Sequence, residues 1–73
     1  MLIEVLDVSG LKTPDHVLKI AVKAPHMNPG GILEVLSDDP SFEKDVRYWC
    51  EETGRVILSV QSDGESTIIQ IQF

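Results

Sequence analysis

With 73 residues, 42% of them apolar and 25% charged, the chain has room for one domain and an ordinary globular core. Its formal charge of −6 disfavours a phosphate backbone as a partner, and the six Lys and Arg form no basic run with interleaved aromatics. A single cysteine rules out an internal disulfide, and no stretch approaches the roughly 18 consecutive apolar residues of a membrane span.

Leu2-Ile3-Glu4-Val5-Leu6 reads as a first strand, short and rich in β-formers, ending at Asp7 before a Ser9-Gly10 turn. Because this strand follows Met1 directly, with no basic segment or apolar h-region, no signal peptide is expected, and the lone thiol points to a reducing, cytoplasmic setting. Thr13 then stands as a helix N-cap with Pro14 at the first helical position, where a missing N–H costs nothing. Asp15 suits the positive end of the helix dipole. The apolar stripe Pro14, Val17, Leu18, Ala21, Ala24 predicts an amphipathic helix that stops near Pro25.

Pro25 to Gly31 reads as a loop, and Ile32-Leu33-Glu34-Val35-Leu36 as the second strand. Asp38-Asp39-Pro40 repeats the earlier grammar, with Asp39 as N-cap and Pro40 in the first turn. Phe42, Val46, Trp49, Cys50 and Thr53 share one helix face, and Gly54 offers a left-handed C-terminal cap. Val56 to Val60 forms a third strand, Asp63-Gly64 a turn, and Thr67 to Phe73 an alternating fourth strand.

The order β-α-β-α-β-β over residues 1–73 predicts a single α+β domain. Two strand–helix–strand units imply parallel pairs with right-handed crossovers, and the closing hairpin adds an antiparallel component. Two helices can cover only one face of a four-stranded mixed sheet, which gives a two-layer α/β sandwich. Alternation sends Val5, Val35, Val56 or Val60, and Ile69 toward the helices. It leaves Leu2, Glu4, Leu6, Ile32, Glu34, Leu36, Ile68, Gln70 and Gln72 on an open face, either half-solvated or a docking surface.

Leu6-Asp7, Gly10, Pro14, Leu18, Met27, Pro29-Gly30, Leu33-Glu34-Val35, Asp38-Asp39-Pro40 and Trp49-Cys50-Glu51-Glu52-Thr53-Gly54 together form a recognisable pattern. From Leu6 to Leu58 the chain resembles the TusA/SirA family of small sulfur carriers. The resemblance implies the same two-layer sandwich. It also implies a sulfur-carrying cysteine before the first proline, in a Cys-Pro-x-Pro signature at a helix start, where the dipole favours a thiolate or persulfide. This chain reads Thr13-Pro14-Asp15-His16, so the cysteine and the second proline are both replaced.

Threonine has no sulfur, and its hydroxyl becomes a nucleophile only beside a general base. His16 is the one nearby base, yet a residue three positions along a helix need not point back at the cap. Thr13 is therefore read as a helix cap contributing about 1 kcal/mol. Cys50 falls on the apolar stripe beside Trp49 and is read as an inert packing residue, with a substitute sulfur acceptor as the lesser alternative. His16 and His26 read as polar surface residues without ligand spacing, so neither a metal nor a cofactor is expected. Pro29-Gly30-Gly31 leads into a strand and lacks a following Lys, unlike a phosphate loop.

The resulting expectation is an interaction or regulatory module of sulfur trafficking that lacks its own persulfide chemistry, monomeric or weakly dimeric. Its partners by family resemblance are a cysteine desulfurase, a rhodanese-like or a DsrE-like protein, with no direct nucleic acid and no membrane. The alternative is an active persulfide-carrying sulfurtransferase, acting in tRNA thiolation or a related relay.

Overall fold

The computed structural model describes residues 3–73, so the expected start of the first strand at Leu2 lies outside the described residues. The elements in chain order are β1 (Ile3–Asp7), α1 (Asp15–Lys23), a 3₁₀ turn (Ala24–His26), β2 (Ile32–Ser37), α2 (Phe42–Thr53), β3 (Val56–Asp63) and β4 (Ser66–Gln72). The strands assemble as β1-β2-β4-β3. β1 and β2 run parallel, and β4 is antiparallel to both of its neighbours. Only the first strand–helix–strand unit therefore makes a parallel pair. The second spans a gap that β4 fills, because the hairpin from β3 returns between β3 and β2.

Cross-strand register defines the two faces. Leu6, Val35, Ile69 and Val60 stand opposite one another in one row, and Glu4, Leu33, Ile71 and Ile57 in the next. These rows face the helices. Leu33, Val35, Ile69 and Ile71 are fully buried against Ile20 of α1 and against Phe42, Val46 and Cys50 of α2. At β1 the alternation expected from sequence is inverted, since Leu6 packs on the core while Val5 is 64% exposed. The parity of β1 is set by its pairing of Leu6 with Val35, which its own five residues do not encode. Glu4, expected outward, turns to the helix side and pairs with Lys23 of α1 at 2.7 Å.

On β3 a register shift between Ile57 and Ser59 lets both Ile57 and Val60 face inward, although an odd spacing separates them. Val56 is left outside. On the open face Ser59 donates to Gln70 at 3.3 Å and Gln70 donates to Glu34 at 3.0 Å, a polar row across three strands.

Both helix starts differ from the expected capping. α1 begins at Asp15, its N-cap position falls on Pro14, and no side chain caps it. α2 begins at Phe42 behind Ser41, again without a side-chain cap. The Asp39 side chain instead accepts the Ser41 N–H at 3.3 Å, while its carbonyl accepts the Phe42 N–H at 3.0 Å. Pro40 thus lies in a turn that leads into α2. Gly54 ends α2 in the left-handed conformation at φ 73°, as the sequence predicts. α1 is rotated relative to the expected stripe: His16 and Ile20 are its buried residues, and Leu18 is 55% exposed. Among the described residues no helix is long and apolar enough to cross a membrane.

Candidate functional site

β1 and β2 are parallel neighbours, so the loops leaving their C-terminal ends emerge side by side. The backbone of Val8 donates to Leu36 at 2.8 Å, and that of Gly10 to the Asp38 carboxylate at 3.0 Å. This lacing brings the start of α1 against the start of α2. Residues 28 and 32 positions apart in sequence meet there through their side chains.

Thr13 is the exposed member of this meeting point. Its hydroxyl donates to Oδ2 of Asp45, lies 2.7 Å from the Ser41 hydroxyl and 3.4 Å from Nε2 of His16. Ser41 Oγ also lies 3.0 Å from Oδ2 of Asp39, to which it donates. His16 is not a surface residue: its side chain is 0% exposed, with Phe42 edge-on at 5.5 Å between ring centroids. The residue is the second of α1, and Phe42 of α2 packs over it, which is why burial overrides its polarity.

Nε2 of His16 approaches Asp39 Oδ2 at 3.1 Å and Asp45 Oδ2 at 3.4 Å, whereas Nδ1 is buried with no hydrogen-bond partner. A nitrogen facing two carboxylates must carry a proton, so Nε2–H donates to Asp39. A base for Thr13 would instead need a free lone pair toward the hydroxyl and a carboxylate holding its other nitrogen. Here every polar contact converges on the same nitrogen. The structure brings Thr13 and His16 together, which their spacing did not require, but in a geometry that gives a structural clamp and no activated nucleophile.

Burial alone would raise the Asp39 carboxyl. The Ser41 backbone N–H and hydroxyl, followed by the charge and N–H of His16, outweigh it and hold the group below the ordinary carboxylate value.

Beside Thr13 an open groove of about 460 Å³ runs between the helices, walled by Pro14, Val17, Tyr48 and Trp49 with Lys44 and Glu52 also lining it. Tyr48 is 68% exposed in it. Cys50 is not among its walls. It sits on the core face of α2, 3% exposed, where burial pushes its thiol up against a smaller opposing pull from Arg55. His26 is exposed on the 3₁₀ turn. Among the described residues no group of three His, Cys, Asp or Glu side chains is arranged to hold a metal ion.

Ser41 and Asp45 carry no recognisable motif, and sequence reasoning passes over both. Their spacing of four at the start of α2 places them on one helix face, the single local signal that they act together.

The family model described as sulfurtransferase TusA matches residues 4–72. The chain is 36% identical over 67 residues to a putative sulfur carrier protein of Aquifex aeolicus, covering 92% of this chain but about a third (34%) of that protein. It is 29% identical over 68 residues to the sulfur carrier protein TusA of Pseudomonas aeruginosa, covering 93% of this chain and 86% of the relative. A putative sulfur carrier protein of Neisseria meningitidis is 36% identical over 67 residues, with 90% of each chain covered.

Proposed function

Because the chain belongs to the TusA sulfurtransferase family, we propose that it works in sulfur trafficking as an interaction or regulatory module that carries no persulfide itself. One observation carries this reading. Where the resemblance implies a reactive cysteine, the chain has Thr13, whose hydroxyl is held by Asp45 and Ser41 at the junction of the two helices. An alcohol so placed forms no persulfide, and His16 does not act as its base.

The sequence has one thiol, that of Cys50, which burial keeps neutral and enclosed. What the fold retains is a partner-facing surface: the groove beside Thr13, with Tyr48 and Trp49 along it. Large aromatics around a partly apolar depression are a common anchor for protein partners. The partners that fit the family are a cysteine desulfurase, a rhodanese-like protein or a DsrE-like acceptor, met in the cytoplasm.

The test is intact-mass measurement after incubation of the wild-type chain with a cysteine desulfurase and cysteine, without reductant. The expected result is an unchanged mass together with a measurable complex with one sulfur-relay protein. A stoichiometric gain of one sulfur, lost in Cys50→Ala, would establish the family's active-carrier role instead.

A further inference from the structure

Two elements depart from the sequence expectation in the same way: β1 turns Val5 outward, and α1 leaves Leu18 outside the core. They meet at one side of the molecule. We propose that they form a self-pairing edge, at which β1 of one copy of this chain adds antiparallel to β1 of a second copy and the two α1 helices lie beside each other. The pairing is independent of what residue 13 does, and it leaves the groove at Thr13 open in both copies.

β1 ends the sheet, so one side of its backbone has no strand partner among the described residues. Natural edge strands are usually blunted by a proline, a lysine, a bulge or a covering element. The opposite edge, β3, carries a register shift between Ile57 and Ser59 and runs out into Gln61, Ser62 and Asp63. β1 reads Ile3-Glu4-Val5-Leu6-Asp7, pairs regularly with β2, and exposes Ile3 and Val5.

The helix layer repeats the pattern. His16 and Ile20 of α1 are buried in the core, and Val17 lines the groove shared with α2. Asp15, Leu18, Lys19 and Val22, spaced i, i+3, i+4 and i+7, line a shallow depression on the side away from α2. The ion pair of Lys23 with Glu4 ties the adjoining flank of α1 to β1. Both layers of the sandwich therefore show aliphatic side chains at one edge.

Charge decides which occupant fits. Residues 3–23 hold Glu4, Asp7 and Asp15 against Lys12, Lys19 and Lys23, so this part is neutral and the formal charge of −6 lies on the remainder. Two copies repel through the remainder and meet without net repulsion at this edge, whereas a neutral edge gives a strongly charged partner no hold. A two-fold axis perpendicular to the sheet keeps both helix layers on one side and sets α1 antiparallel to its counterpart. The stripe runs from Asp15 to Lys19, so the acid of each copy is turned toward the base of the other. Centred on Val5, the strand pairing matches all five residues of β1. An edge about 17 Å long and two layers deep is small beside the roughly 800 Å² per partner of a standard interface, so the association is weak and concentration-dependent.

The test is sedimentation equilibrium of the full chain between about 5 and 500 µM, at about 150 mM salt, where charges more than about 8 Å apart are largely screened. The apparent mass is expected to climb from 8.1 kDa toward twice that value as concentration rises. Val5→Lys sets like charges opposite each other across the two-fold axis and is expected to weaken the pair about tenfold or more. Val22→Glu is expected to weaken it from the helix layer, and serves alone if the lysine variant does not fold, since Val22 is 69% exposed. Val56→Lys, at the opposite edge of the sheet, is expected to leave the dimer unchanged.

A mass fixed at 8.1 kDa across the whole range would overturn the proposal. So would a dimer that a folded Val5→Lys or Val22→Glu variant leaves intact. A dimer weakened as much by Val56→Lys as by Val5→Lys would move the contact to the open sheet face or to β3, and would equally refute pairing at β1.

Discussion

Replacing His16 with alanine tests whether the buried ring holds the two helix starts together. The ring is 0% exposed and stacks edge-on against Phe42, itself fully buried. Truncating a buried phenylalanine to alanine costs about 3–5 kcal/mol, and imidazole is smaller, so the packing loss here is about 2–4 kcal/mol. The lost Nε2–H bond adds less than it would in a dry core. Asp39 and Asp45 are 13% and 21% exposed, so water can replace the missing donor.

A chain of this length has a total stability of about 4–11 kcal/mol, so the variant should lose about a fifth of it or more. Urea unfolding followed by fluorescence reads the change, because Trp49 is the single tryptophan and packs near Phe73 at 6.3 Å between rings. His16→Leu, which fills most of the volume without the hydrogen bond, should cost about half as much or less. A loss under about 1 kcal/mol for His16→Ala would refute the ring's place in the core. A leucine variant as damaged as the alanine variant would instead assign the cost to the polar contacts.

Two further outcomes follow from ionisable groups. Cys50 should resist iodoacetamide in the native protein near pH 8 and react fully in urea, since burial raises its thiol above the ordinary value; native labelling at the unfolded rate would contradict its packing role. The raised value also means that unfolding releases the proton first, so stability should decline as pH climbs past about 9. Asp39 behaves oppositely. Its folded value is lowered from 3.8, so its stabilising contribution is complete above that pH and is lost as pH falls through the folded value. Asp39→Asn should flatten the dependence of the urea midpoint on pH below about 4, leaving a residual slope from Asp7, which Ser9 holds down in the same sense; an unchanged slope would refute the coupling.

Much of this molecule is legible in its residues. The element order, the α2 stripe of Phe42, Val46 and Cys50, and the Gly54 terminator all follow from period and local backbone preference. The inward set of β2 and β4 follows from strict alternation. Reasoning fails where a second element decides. β1 is too short to fix its own parity, and the apolar count on α1 favours a stripe that the structure leaves partly exposed. The helix starts misled for a related reason: Thr13 and Asp39 are good caps in isolation, yet each finds partners across the interface.

Local chemistry therefore dictated which segments are helix and strand, that residue 13 is an alcohol, and that the sole thiol falls on an apolar stripe. Only the assembled fold decided what surrounds that alcohol. The parallel pairing of β1 with β2 sets two loops side by side, and residues about 30 positions apart, Thr13 with Ser41 and Asp45, come within hydrogen-bonding range. Such contacts depend on register and strand order, which are properties of pairs of elements and are written in neither segment alone.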